Sequence, residues 1–342
     1  MPSREEVSRL DAGGMYDAVA TLPEQLREGM AIGEKAFPPS RAPSPYGCDH
    51  LLVCGMGASG IVGDIAAAWF GSRLGVRTVR DYAPPEETAP STLAVAVSFS
   101  GETEETLSAF TAALDRGHRG VAVTTGGRLQ ALATERGLPV AVIPRKVQAR
   151  AALGLLLGPF GPLVGPPMRD ELAAALGELE QQRESLLAGV DTPRNKAKAL
   201  AAALEGRPVA FVADTTLLPV ARRWTAQLHE NAKVLAWASE MPEASHNEIV
   251  AWAEDPGPFL PVFLRHLEET PEMRRRLDLT ADIVAATRPV ASVELAGSSR
   301  IARILGGIQL ADFTSVYLAV RRGVDPTPQR AIDELKRRLR EG

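Results

Sequence analysis

Three hydroxyl side chains stand close together where an apolar run ends: Ser98, Ser100 and Thr103. Each hydroxyl can donate a hydrogen bond to a phosphate oxygen, and the first backbone N–H groups of a following helix can add further donors. Such a cluster suits the phosphate group of a small molecule. The same pattern is also typical of a helix N-cap followed by acidic residues, so this stretch alone does not decide between the two.

A glycine-rich turn earlier in the chain favours the phosphate interpretation. Gly55, Gly57 and Gly60 directly follow another apolar run and open a helical pattern. Such a turn lets backbone N–H groups surround an anion at the positive end of the helix dipole. Both turns follow predicted parallel strands, whose carboxyl ends share one edge of a sheet. We therefore expect Gly57, Ala58 and Ser59 to bind the same phosphate as the hydroxyls.

The same glycines also spell G-x-G-x-x-G, the dinucleotide-binding fingerprint. Asp81 lies about where a ribose-binding acid would follow. A dinucleotide site has no use for the hydroxyl cluster at the neighbouring strand end. We therefore prefer a phosphate site for a smaller substrate.

Alternating strands and helices are predicted along the chain, and they would hold these turns in place. Strand-like apolar runs alternate with helical periodicity, which predicts an α/β fold with parallel sheets covered by helices on both faces. Two alternating blocks indicate two lobes, and only the first has glycines in its first turn. The predicted strands are His50–Cys54, Arg77–Asp81, Leu93–Phe99, Gly120–Thr124 and Pro139–Ile143 in the first block, and Pro208–Ala213, Val234–Ala238, Phe259–Arg265 and Ser292–Ala296 in the second.

Helical periodicity and prolines predict the remaining organisation. We expect an N-terminal helix and linker in residues 1–48, a first lobe in 49–165, and a second lobe with a C-terminal helix in 166–342. The apolar residues between Ile301 and Leu318 could form an interface or be buried within a lobe. The predicted helices are Tyr16–Ile32, Thr103–Arg116, Asp170–Leu187, Pro193–Leu204, Ser299–Arg321 and Gln329–Arg340, and the proline-rich linker is Phe37–Pro45.

Composition and charge argue against several classes of partner. The chain has 342 residues and a net charge of −4, which favours neither nucleic acid nor an anionic membrane as partner. Cys48 and Cys54 are the only cysteines, no cysteine–histidine cluster indicates a metal site, and a reducing cytoplasm is the expected compartment. The uncharged run 151–168 contains four prolines, so it predicts a buried helix and loop rather than a membrane span.

Several motifs together resemble a known family. GMGASG (Gly55–Gly60) and SFSGETEET (Ser98–Thr106) are similar to the sugar isomerase (SIS) domain, which holds phosphosugars with these two loops. Three later motifs narrow the resemblance to the bifunctional phosphoglucose/phosphomannose isomerases: HENAK (His229–Lys233), MPEASHNEI (Met241–Ile249) and GVDPTP with a terminal ELK (Gly323–Lys336). The resemblance implies two SIS-type lobes, each a flavodoxin-like three-layer sandwich. It also implies that glucose 6-phosphate, and mannose 6-phosphate in dual-specificity members, is converted to fructose 6-phosphate through a cis-enediol. The absence of metal-ligand clusters in the sequence predicts that this occurs without metal, and no other cofactor is expected.

The resemblance gives catalytic roles to four residues. Glu230 matches the base that moves the proton between C1 and C2, a transfer that suits a carboxylate. His246 matches the acid/base that opens the sugar ring, and Arg150 matches the arginine that stabilises the enediolate. Lys336 matches a lysine near the ring oxygen. Without the resemblance, each would be interpreted as an ordinary surface or helix-end residue.

Two positions depart from the family pattern. Ala58 replaces a glycine of the family's GMGGS, which a contact through the backbone N–H tolerates if the φ of Ala58 is negative. Gln329 stands seven residues before Lys336, where dual-specificity members carry threonine and glucose-specific isomerases carry glutamine. A small alignment shift would bring Thr327 to this position instead. We therefore expect activity on glucose 6-phosphate to exceed activity on mannose 6-phosphate.

Other functions remain open on the sequence alone. SIS lobes also occur as non-catalytic phosphosugar sensors attached to DNA-binding domains, although the N-terminal segment is neither long nor basic enough for a helix-turn-helix module. Another SIS enzyme, such as a pentose-phosphate isomerase or a glucosamine-phosphate synthase lobe, would use the same phosphate loops; the synthase would need an amidotransferase domain, which we do not expect here. The resemblance further implies a homodimer with a shared active site, into which the histidine reaches across the interface.

Overall fold

The computed structural model describes residues 2–37, 47–254 and 257–341. Two sheets lie at the centre of the described chain, with strand orders β2-β1-β3-β4-β5 and β7-β6-β8-β9, and every pairing is parallel. The strands are β1 His50–Cys54, β2 Gly75–Val79, β3 Thr92–Ser98, β4 Arg119–Thr124, β5 Val140–Val142, β6 Val209–Ala213, β7 Ala236–Glu240, β8 Leu260–Arg265 and β9 Ala291–Glu294. Each predicted strand is confirmed, with ends shifted by at most two residues.

Helices flank both sheets. The helices before the second sheet are α1 Arg4–Leu10, α2 Met15–Ala20, α3 Leu22–Ala36, α4 Gly57–Phe70, α5 Glu104–Asp115, α6 Gly127–Glu135, α7 Leu153–Leu157, α8 Phe160–Val164, α9 Pro166–Leu186 and α10 Lys196–Leu204. Those that follow are α11 Leu218–Gln227, α12 Glu248–Glu254, α13 Pro271–Ala285, α14 Arg300–Arg321 and α15 Arg330–Glu341. The fold is therefore the predicted α/β arrangement of two parallel sheets covered by helices.

The N-terminal segment differs from the single helix predicted at Tyr16–Ile32. The helix is divided at Thr21 into α2 and α3, because Pro23 stands in the first turn of α3, where a residue without an N–H is tolerated. An additional helix, α1, begins with a capping box in which Ser3 and Glu6 exchange hydrogen bonds. The predicted linker lies, apart from Phe37, outside the described residues.

The uncharged run 151–168 forms α7, α8 and the start of α9, and the residues of α7 and α8 are buried. Both short helices pack against α3, and the approach is close, since a Cβ on Gly158 would lie 2.6 Å from the backbone of Gly29. The prediction of a buried helix and loop is confirmed. Within the described ranges no helix is long and apolar enough to cross a bilayer.

The long helix α14 is buried along its whole length. Residues 301–320 are all buried, and the helix packs against α9, α10 and α11. The alternative that the apolar residues between Ile301 and Leu318 form an interface is therefore wrong, because neighbouring helices of the same chain already cover them. Each large apolar side chain buried in this way contributes about 1.5–3 kcal/mol to stability. The division into residues 1–48, 49–165 and 166–342 stays a prediction.

Candidate active site

The glycine turn after β1 leads directly into α4. Gly57 is the first residue of the helix and has a φ of +52°, a left-handed conformation that favours glycine. The next two residues are Ala58, half-buried, and Ser59, which is buried and whose amide donates to the carbonyl of Met56 at 3.0 Å. Among the described non-glycine residues, Lys233 alone has a positive φ. The φ of Ala58 is therefore negative, as the predicted backbone contact requires.

The three predicted hydroxyls make hydrogen bonds within the turn that follows β3. Ser98 is buried, and its Oγ accepts from the amide of Gly101 at 3.1 Å and lies 3.0 Å from Oγ1 of Thr103. Oγ of Ser100 accepts from the amide of Glu102 at 3.1 Å. Thr103 occupies the N-cap position of α5, but its side chain does not cap the helix. Ser100 and Thr103 are half-buried and can still meet a ligand, whereas Ser98 is buried in the loop.

The two turns lie side by side because β1 and β3 are paired and parallel, with Cys54 opposite Ala96. Two arginines that sequence analysis did not single out lie beside them. Arg145 donates from Nη2 to the carbonyl of Ser100 at 3.4 Å, and Arg80 would contact a Cβ on Gly60 through its Nε at 2.9 Å. Arg80 directly follows β2, and Arg145 lies shortly beyond the end of β5. Examining the residues after each predicted strand would have found Arg145, but Arg80 lies inside the predicted strand Arg77–Asp81, whose end was placed two residues too late.

Glu230 lies in a single π-helical turn, Leu228–Ala232, that follows α11. Lys233 ends this turn with a φ of +55°, and its Nζ donates to the carbonyl of Glu230 at 2.7 Å. The same Nζ donates to the carbonyls of Asp325 and Pro326 at 3.2 and 3.1 Å. Burial and the nearby Arg150 lower the pKa of Lys233. A π-helical turn and a left-handed lysine next to each other are the kind of backbone strain found at functional sites.

Glu230 borders a cavity of about 520 Å³. The Nε2 of Gln329 donates a hydrogen bond to Oε2 of Glu230 inside it. Thr327 is not part of the lining, and its Oγ1 lies instead 3.4 Å from Oδ1 of Asp11. The alignment shift that would substitute Thr327 for Gln329 is therefore not supported by the geometry. The described lining residues are His229, Glu230, Lys233, Val324, Asp325, Pro328, Gln329, Arg330, Ala331 and Ile332.

Arg150 is buried in the 3₁₀ turn Ala149–Ala151, with only 5% of its surface exposed. Its Nε donates to Oδ1 of Asn231 at 2.7 Å, and its Nη2 donates to the carbonyls of Pro326 and Thr327 at 2.7 and 2.8 Å. Burial lowers the pKa of Arg150, and the nearby carboxylate of Glu230 opposes that shift. An interpretation of Arg150 as an ordinary surface cation is therefore wrong.

The other two predicted catalytic residues do not line the cavity next to Glu230. His246 ends the 3₁₀ turn Glu243–His246 after β7, and Lys336 lies on α15. Both side chains are exposed, and neither lines the cavity next to Glu230. The residues of the two phosphate loops also lie outside that lining. Within a single chain Arg150 and Gln329 lie near Glu230, whereas the exposed His246 and Lys336 have no described contact with it.

Helix α15 begins at the cavity and carries an exposed apolar stripe. Ile332, Leu335 and Leu339 recur at helical spacing and are 38%, 58% and 61% exposed. Sequence analysis predicted this helix but not its uncovered face. In the part of the chain that the structure describes, no group of three or more histidine, cysteine, aspartate or glutamate side chains could hold a metal ion.

Comparison with known proteins identifies the family. Residues 193–339 match the model of the bacterial phospho-glucose isomerase C-terminal SIS domain. A bifunctional phosphoglucose/phosphomannose isomerase from Caldicellulosiruptor bescii is 34% identical over 340 residues, which cover 96% of this chain and 99% of that protein. Another, from Aquifex aeolicus, is 33% identical over 305 residues, which cover 87% and 92%.

Solved structures show the same fold. A hypothetical protein from Thermus thermophilus superposes with a TM-score of 0.73 at 21% identity, over 98% of this chain and 93% of that one. A glucose-6-phosphate isomerase like protein from the same organism gives a TM-score of 0.60 at 20% identity, over 97% of each chain. The sequence identity over nearly the full length is what decides the family. The chain belongs to the bifunctional phosphoglucose/phosphomannose isomerases.

Proposed function

We propose that this protein is a sugar-phosphate isomerase that interconverts glucose 6-phosphate with fructose 6-phosphate and uses mannose 6-phosphate more slowly. Relatives with the family's name align over nearly the whole chain. Within the molecule, the proposal rests on the surroundings of Glu230 where it borders the cavity. There a carboxylate, Glu230, lies near a buried guanidinium, Arg150, and accepts a hydrogen bond from Gln329.

The proposed reaction transfers one proton between neighbouring carbons. In the open-chain aldose, Glu230 removes the proton from C2, and the electrons of that bond form the C1–C2 double bond while the carbonyl oxygen becomes negative. Arg150 stabilises this negative charge as a fixed cation in a water-poor setting. The proton of the C2 hydroxyl then passes to the C1 oxygen, which moves the negative charge to the C2 oxygen. Glu230 returns its proton to C1 as the C2 carbonyl forms, and the product is the ketose. No metal ion takes part in this proposed sequence.

The proposed phosphate site consists of the turn Gly57–Ser59 and the hydroxyls of Ser98, Ser100 and Thr103. Two features support it: the first N–H groups of α4, at Gly57 and Ala58, which no side chain caps, and hydroxyl groups on the adjacent strand end. The amide of Ser59 already donates to the carbonyl of Met56. The half-buried Ser100 and Thr103 are proposed to contact the phosphate. The buried Ser98 is proposed to act by holding Gly101 and Thr103 in place.

We further propose a homodimer with a shared active site. His246 and Lys336, the proposed ring-opening acid/base and its neighbouring lysine, are exposed and do not line the cavity of their own chain. A second copy that covers the apolar stripe of α15 would also bring new side chains to that cavity. Leu335→Glu should therefore sediment as a monomer and have low isomerase activity. Leu279→Glu, at a similarly exposed leucine on α13, is the control and should leave the oligomeric state unchanged.

The deciding experiment measures the formation of fructose 6-phosphate from glucose 6-phosphate and from mannose 6-phosphate, with and without EDTA. We expect turnover of both, faster with glucose 6-phosphate, and no effect of the chelator. A non-catalytic phosphosugar sensor would bind the sugar phosphates without exchanging their C2 proton with solvent. Loss of activity in EDTA would contradict the metal-free sequence.

A further inference from the structure

A closed ring of hydrogen bonds holds Arg150 at both its side chain and its backbone. Nε of Arg150 donates to Oδ1 of Asn231 at 2.7 Å, and Nδ2 of Asn231 donates to Oγ of Ser315 at 2.9 Å. Oγ of Ser315 donates to the carbonyl of Asp312 at 2.7 Å. The Asp312 carboxylate accepts from Nε and Nη2 of Arg223, both at 2.8 Å. Nη2 of Arg223 also donates to the carbonyl of Arg150 at 2.6 Å, which closes the ring.

The ring is buried and joins four separate elements. Its five members are at most 5% exposed, and they come from the turn Ala149–Ala151, from α11, from the π-helical turn and from α14. A buried ion pair such as Arg223–Asp312 is weak evidence for stability, because desolvation offsets much of the attraction. A fully bonded network of this kind does, however, fix side chains in one arrangement.

The member that links the ring to the reacting groups is Asn231. It directly follows Glu230 in the chain and lies in the same π-helical turn, while its side chain holds the guanidinium of Arg150. Both hydrogen-bonding ends of the Asn231 amide are used, one by Arg150 and the other by Ser315. Nη2 of Arg150 is held by the carbonyls of Pro326 and Thr327, whereas Nε is held by this amide. The orientation of the guanidinium relative to the carboxylate thus depends in part on Asn231.

We infer that Asn231 is a positioning residue, which sets the guanidinium of Arg150 at the place where the enediolate forms beside Glu230. This inference rests on the proposed role of Arg150. Without the amide, Nε of Arg150 loses its partner in a buried site, and the guanidinium moves toward other acceptors. A misplacement of about 1 Å can lower a rate by about 100-fold. Substrate binding through the phosphate loops is unaffected, because the Asn231 side chain bonds to Arg150 and Ser315 rather than to those loops.

A double-mutant cycle tests the inference with Asn231→Leu and Arg150→Met, measured as kcat and KM per folded protein. We expect Asn231→Leu to lower kcat by roughly 10- to 100-fold and to change KM less than about twofold. In the Arg150→Met background the same substitution should have almost no further effect on kcat, because it acts through the arginine. A merely structural role would lower activity equally in both backgrounds and would overturn the inference.

Asn195→Leu is the matched control. Asn195 is also fully buried and its side chain also makes two hydrogen bonds, to the amide of Lys198 and the carbonyl of Leu187. It should lower stability and leave kcat per folded protein unchanged. If Asn231→Leu does not fold, Ser315→Ala frees the Asn231 amide and should lower kcat in the same direction; an unchanged kcat would contradict the inference.

The kcat values also distinguish a failure of the proposed role of Arg150 from a failure of the positioning role of Asn231. A wild-type kcat in Arg150→Met alone would remove the proposed role of Arg150 and the positioning role with it. A lower kcat in Arg150→Met together with a wild-type kcat in Asn231→Leu would leave the proposed function standing and overturn only the role of Asn231.

Discussion

The side-chain amide of Gln329 donates a hydrogen bond to the carboxylate of Glu230. This contact joins the residue before α15 to the π-helical turn after α11. In the proposed reaction, Oε1 of Glu230 is the oxygen that does not accept from Gln329, and we propose that it takes the proton. The glutamine lines the same cavity as Glu230, and we propose that it limits the rotation about C1–C2 that the second epimer needs. In this proposal one side chain affects both the base and the substrate range.

Replacing the proposed base without changing its shape should stop the reaction. Glu230→Gln keeps an acceptor for Gln329 but removes the ability to take a proton, so we expect kcat to fall by about 1,000-fold or more. Calorimetry should show nearly unchanged binding of fructose 6-phosphate. Glu135→Gln, at an exposed position on α6, is the control. A variant with a near wild-type rate would refute the assignment.

Gln329→Thr should widen the substrate range. The shorter side chain leaves room for rotation about C1–C2, so the ratio of mannose 6-phosphate to glucose 6-phosphate activity should rise by roughly tenfold. The rate with glucose 6-phosphate should fall several-fold, since Glu230 loses its amide partner. Initial rates with both epimers measure the ratio. Equal rates in the wild-type protein would already show that Gln329 does not restrict the site.

Ser100→Ala should weaken substrate binding more than it slows the chemical step. A hydrogen bond to a charged phosphate contributes about 1.5–3 kcal/mol, so KM should rise by roughly 10- to 150-fold while kcat changes little. Ser108→Ala, at an exposed serine of α5 in the same lobe, should leave both constants unchanged. A KM that stays at the wild-type value would argue against Ser100 as a phosphate contact.

Two inactive variants should restore activity when they are mixed. If His246 of one subunit serves the Glu230 of its partner, a heterodimer of Glu230→Gln and His246→Asn keeps one intact site. Random exchange between equal amounts should then recover about a quarter of the wild-type activity. The measurement is the rate after co-refolding, with each variant refolded alone as control. No recovery despite proven subunit exchange would contradict a site shared in this way.

Alkaline pH should destabilise the protein partly through Cys54. Burial raises the pKa of this thiol from 9.0 to about 12, so the folded chain holds the proton more tightly than the unfolded chain. The free energy of unfolding should therefore fall as pH rises from 9 to 12, by up to about 1.4 kcal/mol per pH unit from this group. Denaturant unfolding of Cys54→Ala should show a shallower decline. An identical slope in both proteins would contradict the shift.

The sequence alone determined the strands and the order of the two lobes. Alternation of apolar runs and helical periodicity is a local property, so β1 to β9 could be predicted from short windows. The placement of the two turns proposed to bind phosphate followed for the same reason, because glycines and hydroxyls directly after a strand lie at its carboxyl end in any parallel sheet. The proximity of Glu230 and Arg150 came only from the family resemblance, since residues about 80 positions apart carry no local signal.

Tertiary structure decided which side chains meet. It selected Gln329 over Thr327 at the cavity, buried α14 inside the chain, left the apolar stripe of α15 uncovered, and enclosed Arg150 in the ring through Asn231. Each of these depends on packing between elements far apart in the chain. Periodicity reports which face of a helix is apolar, but only the assembled structure determines what covers that face, because burial is a property of the surroundings rather than of the residue.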